Sequence, residues 1–151
     1  MSLATDSIFI AAVQSNSELV ELVGSRIYGT AIPLPDEDLD NVPVPYIIVT
    51  FDGLNNDAGT KDNLYESQYD KVNIGIEVTG ETLKGLHDLT QLVRDTILSY
   101  FRANQTAIED YTFTADAIQF DSLKPCYWQT LRYQCDVYNI ENDEQESTAE
   151  I

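Results

Sequence analysis

Basic residues are scarce in this chain: four Lys and four Arg stand against 26 acids, for a formal net charge of -18. Gripping phosphates requires clustered Lys and Arg that release counterions, and the bases here are scattered. That argues against a specific DNA or RNA reader and against attraction to an anionic membrane surface. Long apolar runs are missing too; none approaches the ~18 residues of a membrane span. The opening stretch, MSLATDSIFIAAV, lacks the basic residues of a secretion signal and carries Asp6, so the expectation is a protein made in the cytosol. Cysteine is limited to Cys126 and Cys135. In one extended strand, at ~3.3 Å per residue, they stand ~30 Å apart, far beyond bridging distance. His87 is the only histidine, so no His/Cys set with metal-ligand spacing exists. Neither a metal nor a cofactor is expected.

A phosphate cradle is missing where one is most often built. VNIGIEVTGETLKGL, from Val72 to Leu86, reads as a strand entering a helix across a glycine turn. Gly80 and Gly85 have the separation of a Walker motif, but Leu86 and His87 occupy the lysine and hydroxyl positions. The dinucleotide fingerprint is also absent. Thr79, Gly80 and Thr82 would at most make a weak anion site. The simpler expectation is that Thr79 or Thr82 caps the helix, with Gly80 and Glu81 easing the turn. A Ser-His-Asp arrangement fails as well, because His87 and Asp88 are adjacent on a helix and do not face each other. Carboxylates are plentiful, yet no spacing selects a catalytic pair. The chain is therefore expected not to be an enzyme.

What is present is a regular alternation of elements in a chain 43% hydrophobic. TDSIFIAAVQSNSELVELVG predicts two short helices. Thr5 or Asp6 would cap the first, with Ile8, Phe9, Ala12 and Val13 inward. Ser15 and Glu18 would form a capping box for the second, burying Leu19, Leu22 and Val23 and stopping at Gly24. RIYG is a short extended piece, followed by TAIPLPDEDLDNVPVP, whose prolines predict an extended acidic loop. YIIVTFDG is a strand with Ile47, Val49 and Phe51 on one face and Tyr46, Thr50 and Asp52 on the other. After the polar LNNDAGTKDNLYES comes QYDKVNIGIEVTG, with Val72, Ile74, Ile76 and Val78 toward the core. The longest helix carries Leu86, Leu89, Val93, Ile97 and Tyr100 near helical spacing. Two strands follow, YTFTADAIQF and CYWQTLRYQCDVYNI. The last places Tyr127, Leu131, Tyr133, Cys135 and Val137 on one side, opposite Trp128, Thr130, Arg132, Gln134 and Asp136. These elements predict a single α+β domain over 1–140. It is an antiparallel sheet of about four strands with the N-terminal helices and one long helix packed on one face. Residues 141–151, with five acids and no base, are expected to be a disordered tail.

The ordered string of LVELVGSRIYG, a proline-bearing gap, VPYIIVTF, a variable polar loop, VNIGIEV and ETLKGLHDLTQLVRDTI resembles a family of tailed-phage and prophage proteins. These are the tail-completion, tail-terminator or head–tail joining proteins, and the resemblance covers roughly residues 5 to 102. It implies a structural protein that associates with itself as a ring, often a hexamer. Such a ring caps the tail tube, meets tail-tube and head-completion proteins, and lets DNA pass without binding it specifically. It also implies residence in the virion tail once assembled, and an acidic lumen would repel passing phosphates.

Candidate assembly contacts follow from length and polarity beside regular strands. They are the acidic loop (Asp36, Glu37, Asp38, Asp40), the arm (Leu54, Asn55, Asn56, Asp57, Lys61, Asp62, Tyr65) and Trp128. The alternative is a small-molecule or peptide-binding module, or a minor enzyme, using Tyr127, Trp128, Tyr133 and Tyr138. Strand aromatics are more often packing or interface anchors than ligand platforms.

Overall fold

Val72, Ile74, Ile76 and Val78 alternate along one strand, and all four are buried. The computed structural model describes residues 2–29, 44–56, 69–122 and 125–138. Within them α1 (Thr5–Gln14) and α2 (Ser17–Val23) precede β1 (Ile27–Gly29), β2 (Ile47–Asn55) and β3 (Tyr69–Gly80). Then come α3 (Leu83–Ala103), β4 (Ile108–Ala115), β5 (Gln119–Asp121) and β6 (Cys126–Tyr138). The sheet order is β1-β2-β3-β6-β4, with β5 beside the start of β6. Both β3 and β4 run antiparallel to β6 and flank it, so α3 carries the chain across β6 between two strands of the same direction.

The fold is α+β with the helices on one face, as its hydrophobic patterning dictates. The sheet differs from the expectation of about four antiparallel strands in two respects. RIYG supplies β1, which pairs parallel with the start of β2. YTFTADAIQF breaks into β4 and β5, because Asp116, Ala117 and Ile118 leave the strand while Asp116 N–H still donates to Thr130 O (2.9 Å).

Phe9, Val13, Leu19, Leu86, Val93 and Ile97 from the helices meet Ile47, Val49, Ile74, Ile76, Leu131 and Tyr133 from the sheet. Each such side chain contributes about 1.5–3 kcal/mol on burial. An aromatic cluster joins α1, α3, β4 and β6. Tyr133 packs at 5.1 Å from both Phe9 and Phe113 and 5.5 Å from Tyr111, and Phe101 reaches Phe9 at 5.4 Å. The Arg94 guanidinium lies 4.2 Å from the Phe113 ring centroid and covers the cluster's edge.

The glycine corner is structural. A Cβ on Gly80 would meet the Leu86 backbone nitrogen at 2.8 Å and its Cα at 2.9 Å, so only glycine lets α3 fold back this closely. Thr82 is the N-cap, its Oγ1 accepting from Gly85 N–H at 2.9 Å. Thr79 instead serves the sheet: its Oγ1 accepts from Tyr46 N–H (2.8 Å) and donates to Tyr46 O (3.1 Å), extending the β2–β3 ladder by a side chain.

Four helix expectations need correction. A short 3-10 turn, Ser2–Ala4, runs into α1, so Ala4 is the N-cap, and Thr5 and Asp6 are buried inside the helix. Ile10 is buried rather than Ile8, because apolar residues surround this helix and its pattern does not select a face. Asn16, not Ser15, caps α2: its Oδ1 accepts from Glu18 and Leu19 N–H, and its Nδ2 donates to Thr96 Oγ1 on α3 (2.9 Å). Ser15 has helical backbone angles and donates its hydroxyl back to Ala12 O. Leu22, expected in the core, is 50% exposed.

Candidate assembly surfaces

β2 carries a bulge between Phe51 and Gly53, where Gly53 adopts φ 130°. The extra residue reverses the facing of everything beyond it. Before the bulge Ile47, Val49 and Phe51 face the helices; after it Leu54, opposite Val72, does so. Leu54 is therefore a packing residue at the base of the arm. Asn55, opposite Lys71, is exposed on the other face. Asn56 closes the base by donating Nδ2 to Tyr69 O (3.2 Å) and Asp70 Oδ1 (2.7 Å). Asp57, Lys61, Asp62 and Tyr65, and likewise Asp36, Glu37, Asp38 and Asp40, lie outside the described residues.

Trp128 is half-buried on the helix-free face, opposite Thr79 and Gln119. Eight residues of β6 separate it from Asp136, the partner of Lys71, a span of ~26 Å. Trp128 and the arm base thus stand at opposite ends of the sheet. The four aromatics of the alternative site also fail to converge. Tyr133 and Tyr127 pack with the helix-side core, Tyr138 pairs with Tyr69 at 5.5 Å near the arm, and Trp128 faces away.

Cross-strand register grades the helix-free face from apolar to charged. At one end Tyr46 and Ile48 form a small second cluster with Tyr28 and Val44. Beside Ile48, Glu77 is half-buried, and burial pushes its carboxyl above the ordinary 4.5. In the middle Arg132 Nε donates to both Asp116 oxygens (3.0 and 2.9 Å), with Asp52 3.8 Å from its other arm. The Arg132 hydrogen bonds hold the Asp116 carboxyl below its ordinary range. At the far end Lys71, Asp110 and Asp136 are neighbours.

On the helix side a groove of about 700 Å³ runs between α2 and α3. Leu22, Leu92, Val44 and Pro45 contribute apolar lining. Glu18, Glu81, Asp88 and Asp95 supply its charges. Among the described residues no Lys or Arg is ion-paired with any of these four. This groove escaped the sequence pattern because Leu22 occupies a position one turn from Leu19 that fits a buried stripe.

Burial pushes the Cys135 thiol up to about 12, which keeps it protonated and unreactive at neutral pH. His87 is exposed on α3. Among the described residues no three His, Cys, Asp or Glu side chains gather as a metal site, and no helix is long and apolar enough to cross a membrane.

A chain in the structure of the virion of a native gene transfer agent particle shares this fold. The TM-score is 0.57 over 89% of this chain and 94% of that one, at 14% identity. Two structures from Akkermansia muciniphila, one of them without its transmembrane region, align at TM-scores of 0.20 and 0.21 with 15% identity. They cover 60% of this chain and 44% and 41% of their own, and carry no weight. No protein-family model and no curated protein matches the chain.

Proposed function

We propose that this chain is a non-enzymatic structural subunit of a phage-like virion, which closes with its own copies into a ring, a hexamer by family resemblance, that ends the tail tube and joins it to the head. The observation that carries this reading is the shared fold, over nearly the full length of both chains, with a component of a gene transfer agent virion.

The sheet offers a means of association. Among the described residues β4 is hydrogen-bonded to β6 alone, and β1 covers only Ile47, Ile48 and Val49 of the longer β2. Two different edges on opposite sides of one sheet make a head-to-tail contact, which generates a ring when the rotation per subunit completes a turn. The acidic residues Asp36, Glu37, Asp38 and Asp40 and the arm beyond Asn56 supply further contacts to neighbours or to the tube. A surface this acidic repels DNA phosphates, so DNA passes through the lumen without being held.

Mass photometry across nanomolar to micromolar concentrations, alone and with purified tail tubes, tests the proposal. The expected result is a discrete species of ring mass in at least one condition. A monomer both alone and with tubes would refute it. Removing residues 57–68 is expected to weaken ring formation; unchanged light scattering would remove the arm from the contact.

A further inference from the structure

We propose that the groove between α2 and α3 docks a short basic amphipathic helix of a different protein. Apolar and acidic residues line the two walls at helical spacing. Glu18 and Leu22 are four positions apart on α2, and Asp88, Leu92 and Asp95 share one face of α3. Leu22 is half exposed, so its burial is available to a partner rather than already used by the core. An apolar ridge flanked by Lys or Arg satisfies both features at once, in the manner of a helix laid in a groove. From Gly85 to Asp95 the α3 wall extends ~15 Å at ~1.5 Å per residue, so a helix of about 14 residues spans all of it.

Charge selects this occupant over the two nearer ones. At this groove a second copy has only eight scattered bases to set against four acids. The chain's own 30–43 span, adjoining the Val44 and Pro45 wall, carries four acids and no base. Neither supplies clustered bases, whereas a basic segment is steered in. The inference holds whether or not the ring forms.

A labelled model helix of Leu and Lys alone, about 14 residues long with the leucines on one face, serves as the probe in fluorescence anisotropy at ~0.15 M salt. Binding is expected to weaken by at least about tenfold in Leu22→Ser and in the double variant Glu81→Gln with Asp88→Asn. Glu109→Gln with Asp110→Asn removes the same charge from exposed positions on β4 and is expected to leave affinity within about twofold. Leu22→Lys, also at a half-exposed position, gives a second variant, and circular dichroism confirms that each is folded. Equal weakening by the β4 pair would reduce the effect to bulk charge and overturn the proposal, as would full binding by Leu22→Ser. A tenfold gain from Leu34→Ser would assign the groove to the 30–43 span instead. A concentration-dependent dimer abolished by Leu22→Ser in sedimentation would assign it to a second copy.

Discussion

Alternate residues of β6 belong to two different environments. Leu131, Tyr133, Cys135 and Val137 are buried toward the helices, while Trp128, Thr130, Arg132, Gln134 and Asp136 face away from them. The helix side is closed by aromatic and aliphatic packing and depends on shape. The helix-free side is polar through its middle, and its principal ion pair sits on an arginine whose side chain is 52% exposed, where water screens the attraction. The lesson is a division of labour: the packing between sheet and helices determines whether the chain folds, while the helix-free face keeps polar side chains in contact with water.

Substitutions on either side sharpen that contrast, and the largest effect belongs to the closed face. Phe9→Ala removes a fully buried ring and is expected to cost about 3–5 kcal/mol in urea unfolding. A cost below about 1 kcal/mol would mean that this face is not the core. Trp128→Ala, on the open face, is expected to cost about 1–2 kcal/mol of subunit stability but to weaken ring formation by more than that. Equal losses in unfolding and in mass photometry would reduce Trp128 to a folding residue.

Tyr133→Phe returns to the closed face with a smaller effect. Its hydroxyl is buried without a hydrogen-bond partner among the described residues, so its removal is expected to change stability by no more than about 1 kcal/mol. A loss above about 2 kcal/mol would reveal that the hydroxyl is satisfied. The smallest effect is Glu77→Gln. Burial raises the folded carboxyl above 4.5, so ionised Glu77 opposes folding once the pH exceeds that value. The amide variant is therefore expected to melt higher at pH 7 and to lose its advantage well below pH 4.5, by calorimetry at both values. No gain at pH 7 would show that Glu77 is fully solvated.

Strong period and local chemistry made part of this legible in advance. β3 alternates without interruption, and α3 has a broad apolar stripe and a threonine cap, so both were apparent from residue order. The parallel β1–β2 pair was not, because three residues carry no period and their partner lies beyond a proline-rich span. Gly53 signals a bulge only once Asn73 is known to be its partner, and without that register Leu54 counts as an arm residue rather than a packing one. Leu22 illustrates the limit most directly: identical spacing from Leu19 serves a core leucine or a groove leucine, and only the position of α3 decides. Of the candidate contacts, Asn55 and Trp128 present themselves on the open face, while Asn56 is committed to closing the arm.

The paired hydrogen bonds between Thr79 and Tyr46 have a consequence for how such a chain can change over time. A hydroxyl pegs the first rung of β2, so the sheet's alignment is fixed where the 30–43 span rejoins it. Lengthening that span costs only about 0.6 kcal/mol per doubling, and Ile47 stays opposite Val78 throughout. Insertions there are expected to leave the register of β2 on β3 untouched.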